Sequence, residues 1–134
     1  MTIAGLITTE STLGPRETVE RLVAEIARRG LTIFARIDHA AGAAAAGLPL
    51  NPTELVIFGN AKGGTPLMQQ AQTAGIDLPL KALVWQDGHG RTWLSYNDPL
   101  WIAERHEITP ERVPNLKMMT GLLADLAAAA TAAA

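Results

Sequence analysis

Between Phe58 and Met68 the chain reads Phe-Gly-Asn-Ala-Lys-Gly-Gly-Thr-Pro-Leu-Met, the stretch whose residue types come nearest to a binding site. An apolar run, Leu55 to Phe58, ends in a loop holding three glycines, and Thr65-Pro66 offers a helix-capping residue followed by one suited to the first helical position. Unpaired amides at a helix start, the positive end of its dipole and the Lys62 ammonium would together favour a phosphate or a carboxylate. The expected ligand-contacting set is therefore Asn60, Lys62, Gly63, Gly64 and Thr65. Lys62 precedes the last two glycines, the reverse of the P-loop order, so no nucleotide is implied. The same residues also suit a plain strand-to-helix turn.

Two further groups carry possible acid-base chemistry. Asp38-His39 is either a carboxylate orienting an imidazole, the start of a general base, or, because neighbouring residues on a strand face opposite ways, a site where Asp38 only caps the alanine-rich turn. Lys81 and Tyr96 fall opposite each other if the turn Asp87-Gly88-His89-Gly90 joins its strands through two or four residues; a three-residue loop breaks that pairing. A partly buried ammonium beside a phenol favours the phenolate and hence proton transfer, whereas a lysine stem lying on the ring would be packing alone. His89 sits in a hairpin tip, and His106 ends a short helix whose dipole its charge complements. Three such histidines without cysteine make no metal signature. Ser11 and Ser95 lack a nucleophile elbow.

Composition narrows the partners. The chain has 134 residues, 48% of them hydrophobic, enough for one domain with a real core. Eleven Lys and Arg against thirteen Asp and Glu give a net charge of -2 without a basic stripe, and three Trp, two Phe and one Tyr are too few for a base-stacking surface, which argues against nucleic acid. The absence of cysteine removes disulfides and thiolate chemistry. With no charged leader ahead of an apolar core, and only an alanine tract after Leu122, neither a secretory signal nor a membrane span is read, and the expected location is the cytoplasm.

The elements that must position these residues follow from periodicity. Ile3 to Thr8 reads as a strand, and Gly14-Pro15 opens a helix with Val19, Leu22, Val23 and Ile26 on one face. Thr32 to Asp38 alternates as a second strand, with Ile33, Ala35 and Ile37 on one side and Phe34, Arg36 and Asp38 on the other. A helical turn within Ala40 to Gly47, a strand ending at Phe58, a helix from Pro66 to about Ala74, and strands Lys81 to Gln86 and Thr92 to Asn97 come next. Asp98-Pro99 opens a short helix, Thr109-Pro110 starts the next helical region, and Leu116, Met119, Leu123 and Leu126 form the stripe of a C-terminal helix over about 115–130.

Five segments in order, Phe34-Ala35-Arg36-Ile37-Asp38-His39, Phe58-Gly59-Asn60 with Lys62, Gly64-Thr65-Pro66-Leu67-Met68, Asp77-Leu78-Pro79-Leu80-Lys81 and Ser95-Tyr96-Asn97-Asp98-Pro99, closely resemble the family known as domain of unknown function 302. The resemblance runs from Ile3 to about His106 and departs at Ala61 and Gln72, where many members have proline. It implies a small α+β protein, a mostly antiparallel or mixed sheet with helices packed on it, compared with a half-repeat of the TATA-binding protein. It implies neither DNA binding nor any activity.

The leading expectation is a single domain binding a small anionic ligand, without cofactor or metal, at the glycine-rich loop, with Asp38, His39, Lys81 and Tyr96 at strand ends around it. Two alternatives stay open. One is a cofactor-independent enzyme using Tyr96 and Lys81, or His39, for proton transfer. The other is a subunit without ligand that assembles through a sheet edge and the alanine-rich terminal helix; a homodimer is expected.

Overall fold

A computed structural model of the chain, describing residues 2–132, contains five strands and five helices among those residues. In chain order these are β1 (Leu6–Ser11), α1 (Pro15–Arg28), β2 (Thr32–Asp38), α2 (His39–Ala45), β3 (Thr53–Gly59), α3 (Ala61–Gln70), β4 (Leu80–Gln86), β5 (Thr92–Asn97), α4 (Pro99–Arg105) and α5 (Leu116–Thr131). Tight turns of helix at Gln72–Asp77 and Pro110–Arg112 fill two of the connections. The strands form one antiparallel sheet in the order β1-β5-β4-β3-β2. The architecture is therefore α+β, with a wholly antiparallel sheet.

Strand alternation divides the sheet into two unlike faces. One carries Val56, Phe58, Ala82, Val84, Leu94 and Tyr96, and these pack against Val19, Leu22 and Ile26 of α1 and Leu123, Leu126, Ala127 and Ala130 of α5. The stripes expected on α1 and α5 are thus the core-facing ones. Of the alanines of α5, Ala127 and Ala130 pack against the core, while Ala124 and Ala128 are exposed. A second cluster, Leu67, Ala74, Ala103, Ile108, Val113, Leu116 and Met119, ties α3 and α4 to the start of α5. The opposite sheet face carries no helix of either cluster.

Several boundaries differ from the sequence reading. β1 begins at Leu6, after a turn in which Gly5 takes a positive φ of 74°. Thr109-Pro110 opens only a short turn, and α5 starts at Leu116. In β2 the alternation breaks: Ile33 pairs with Phe58 and Ala35 with Ile57, leaving Phe34 as an extra residue in a β-bulge. The bulge reverses the facing of everything after it. Ile33 joins the core side, Ala35 and Ile37 turn to the open face, and Arg36 comes round to the side of α1.

Candidate functional site

Arg36 lies in the wall of a cavity of about 620 Å³, lined by Pro15, Arg16, Val19, Glu20, Arg36, Asp38, Ala40, Ala41, Pro52, Thr53, Glu54 and Val84. Its walls are the first turn of α1, the end of β2 with the start of α2, and the start of β3. The Arg36 guanidinium donates from Nε to Glu54 Oε2 at 2.7 Å and from Nη2 to Glu20 Oε1 at 3.1 Å. The bond to Glu54, outweighing desolvation and helped by Glu20, holds its pKa above the ordinary arginine value. Its planar head is fixed by two carboxylates with Nη1 left for a ligand. Arg16 stands beside it at the start of α1, where Gly14 supplies no side-chain cap, so the first-turn amides are open to an acceptor. Val19, Val84, Pro15 and Pro52 give the cavity an apolar lining. This combination of fixed charge and apolar lining suits binding.

Asp38 lies on this rim and caps α2: its Oδ1 accepts from the Ala41 amide at 2.9 Å. His39 is the first residue of α2 and is exposed, so the two are not joined as carboxylate and imidazole. Sequence reasoning has no means of assembling the Arg36 cavity, because unbroken alternation puts Arg36 on the wrong side of the strand.

The glycine-rich stretch lies at the far end of β3. α3 begins at Ala61, earlier than expected, because Asn60 is itself a cap: in an extended conformation it accepts the Gly63 amide on Oδ1 at 2.8 Å. The Gly63 and Gly64 amides also reach the Asn60 carbonyl, at 3.2 and 3.3 Å. The open cradle of amides expected from Gly63 onward is accordingly closed by the helix, leaving those of Ala61 and Lys62 outermost. Thr65 and Pro66 fall inside α3, where Pro66 denies the Lys62 carbonyl its helical donor. Gly63 and Gly64 have no positive φ; the glycine that needs its freedom is Gly59, at 145°. The crevice beside this loop measures only about 60 Å³ and is mainly apolar, with Leu31, Leu78, Pro79, Leu80, Met119 and Leu122 in its wall.

Lys81 and Tyr96 are not cross-strand partners. Tyr96 pairs with Ala82, and Trp85 stands opposite Trp93, one residue out of the expected register. Gln86 pairs with Thr92, Asp87 and Arg91 close the turn through Asp87 N–H to the Arg91 carbonyl, and Gly88-His89-Gly90 form a three-residue loop with Gly90 at φ 81°. That odd count puts Lys81 on the open face and Tyr96 among the core residues. Burial, with a smaller contribution from Asp98, pushes the Tyr96 pKa up, away from the phenolate that proton transfer would need. Tyr96 is the single tyrosine. Its phenolate absorbance should therefore appear at higher pH in the folded protein than in urea. Because the folded pKa is raised, this contribution to stability is whole below the unfolded pKa and is lost as pH rises through the folded one. Coincident titrations in the two states would contradict the buried placement.

A third constellation escapes the sequence reading. His106, at the C-terminus of α4, meets Asp77 Oδ2 through Nε2 at 2.6 Å and Thr73 Oγ1 through Nδ1 at 2.9 Å, while Arg105 Nη1 donates to both Asp77 oxygens at 2.8 and 2.9 Å. Hydroxyl, imidazole and carboxylate stand in relay order. None of the three lines any of the cavities described for this protein, so the arrangement acts as a clamp between α4 and the Gln72–Asp77 turn. Among the described residues no three His, Asp or Glu side chains converge as metal ligands, and no helix is long and apolar enough to cross a membrane.

Comparison with known proteins places these features in a family context. The family model described as Domain of unknown function DUF302 matches residues 7–126, well beyond His106. The chain is 52% identical over 105 residues to the fluoride-specific ion channel FluC 1 of Brucella suis biovar 1, covering 78% of this chain and 41% of that protein. FluC 2 of Brucella melitensis biotype 1 is likewise 52% identical over 105 residues, 39% of its length. The chain thus spans about two fifths of the curated relatives it matches. In fold it is similar to the crystal structure of an uncharacterized conserved protein DUF302 from Bacillus stearothermophilus, with a TM-score of 0.80 at 19% identity, covering 93% of this chain and 97% of that one.

Proposed function

We propose that this chain, which belongs to the DUF302 family, is a non-catalytic module that binds a small ligand with an anionic group in the Arg36 cavity. The observation that carries this reading is the pre-set guanidinium of Arg36, with Arg16 and the open first turn of α1 beside it, over an apolar lining. The volume is that of ordinary small-molecule sites, about 300–1,000 Å³, and it suits a carboxylate or phosphate on a compact apolar body, the anion placed at Arg16 and Arg36 Nη1 and turned away from the Glu20, Asp38 and Glu54 carboxylates that share the lining. The channel relatives support a module rather than a pore: the stretch similar to this chain is two fifths of each, and the described residues here contain no membrane-crossing helix.

The loop of Asn60, Lys62, Gly63, Gly64 and Thr65 carries a second reading, favoured by the outward amides of Ala61 and Lys62 next to the Lys62 ammonium. It would hold a bare anion with little apolar surface.

One titration separates the two. Amide resonances are followed by NMR while benzoate, phenyl phosphate, inorganic phosphate or fluoride is added. Binding in the cavity moves Arg16, Glu17, Ala41 and Thr53, and R36Q weakens benzoate or phenyl phosphate by about 1–3 kcal/mol, the scale of a charge-assisted hydrogen bond, while K62M leaves it unchanged. Movement confined to Ala61 through Gly64, lost in K62M, transfers the site to α3. No movement with any of the four probes refutes both readings.

A further inference from the structure

We infer that the open face of the sheet is the contact surface for a second copy of this chain, in a face-to-face dimer centred on Leu83. Five strands at about 4.8 Å spacing and about 20 Å in length span a face on the order of 500 Å² in projection, more once side-chain relief is counted, against the ~800 Å² per partner of a stable complex. It presents Leu6, Leu55, Ile57, Leu83, Trp85 and Trp93, all half-buried, with Ile37 39% exposed.

Both indole N–H groups and the Ser95 and Thr8 hydroxyls of this face are already satisfied by the chain itself, while Lys81, Asn97 and Glu10 of the same face stand at strand ends or on the edge strand. The Trp85 indole N–H donates to Ser95 Oγ at 2.9 Å, the same hydroxyl meets Thr8 Oγ1 at 2.9 Å, and the Trp93 indole donates to Asp87 Oδ2 at 2.9 Å. Apolar side chains can therefore cover the middle of the face without stranding either indole donor. Trp85 and Trp93 stack with ring centroids 6.1 Å apart, forming a rigid anchor of the kind that dominates interfaces.

The order of residues on β4 favours a second copy. Lys81, Leu83 and Trp85 share the face at equal spacing. A two-fold axis through Leu83 and across the strands exchanges the other two positions, setting each Lys81 ammonium over the partner's Trp85. The one cation of the strand then meets an aromatic face on both sides of the axis, the pairing an isologous contact requires. The hollow of about 370 Å³ between Leu6, Leu55, Leu83 and Trp85 takes the interdigitating side chains of the second sheet.

The test uses the whole chain. Light scattering across micromolar to submillimolar concentration should give about twice the 14.2 kDa chain mass, with iodide quenching of tryptophan falling as the dimer forms. L83K, and independently L55K, should return the mass to one chain while far-ultraviolet circular dichroism is kept, since both side chains lie off the helix-covered core. A wild-type monomer throughout the range overturns the proposal and leaves the face to another partner. A dimer whose tryptophan quenching does not change, or one that both folded variants retain, overturns it equally by locating the contact elsewhere.

Discussion

Truncating Phe58 to alanine is expected to destabilise the fold by about 3–5 kcal/mol, the range for removing a fully enclosed aromatic ring. Phe58 has 0% exposure and sits near the end of β3, with Ile33 of β2 on one side and Leu80 of β4 on the other. Its ring is part of the cluster built by α1 and α5, so the cavity left behind is walled by two strands and two helices that cannot close on it together. The residue also anchors the end of β3 that delivers Gly59 and the Asn60 cap. Urea unfolding followed by circular dichroism checks this: the midpoint falls sharply with the slope unchanged. A loss under about 1 kcal/mol would show a core able to collapse around the gap.

Replacing Asp77 by alanine is expected to cost about 2–3 kcal/mol, chiefly by stranding the imidazole of His106. The side chains of Asp77 and His106 are only 12% and 8% exposed, whereas that of Arg105 is 49% exposed and adds less, because solvent screens it. Thr73→Val, which deletes one hydrogen bond from the exposed end of the same relay, should cost well under half as much. Thermal unfolding of the two variants reads the difference. Equal losses would mean that the hydroxyl matters as much as the carboxylate, contrary to a clamp built on Asp77.

The parts of this fold set by neighbouring residues are legible in the amino-acid sequence. Gly14-Pro15 and Asp98-Pro99 open helices where expected, with Asp98 Oδ1 accepting from the Leu100 amide at 3.0 Å. The stripe Leu116, Met119, Leu123 and Leu126 is buried as a unit. Where two local signals compete, the sequence misleads. Asn60 and Thr65 are both good caps, and the earlier one starts α3. At the hairpin, loops of two, three and four residues all suit Asp87-Gly88-His89-Gly90. The Asp87 carboxylate decides: it gathers the amides of His89 and Arg91 and the indole of Trp93, bonds that also hold its pKa below the usual carboxylate range. Those contacts cross the turn and leave no trace in periodicity.

The candidate site is less legible than the fold for the same reason. Sequence picks out Asp38, which lies on the rim of the cavity, but not Arg36 or Arg16, since only the bulge at Phe34 brings the end of β2 under α1. The relay joins Thr73 and Asp77 of one turn to His106, some thirty residues on, and forms only when α4 packs beside that turn. Taken singly, its members are no more than a loop threonine, a loop aspartate and a helix-end histidine.

The strand order β1-β5-β4-β3-β2 carries a meaning for how the protein is made. From β2 to β5 every strand pairs with its successor in sequence, so that region can zip up from contacts close along the chain as it emerges from a ribosome. β1 has no such neighbour. Leu6 pairs with Asn97, and the first strand to be synthesised must therefore wait for the last before it has anything to pair with. Until then its exposed backbone is joined to the growing sheet through α1, which makes the first-made of the five strands the last to be built in and the one most in need of shelter during synthesis.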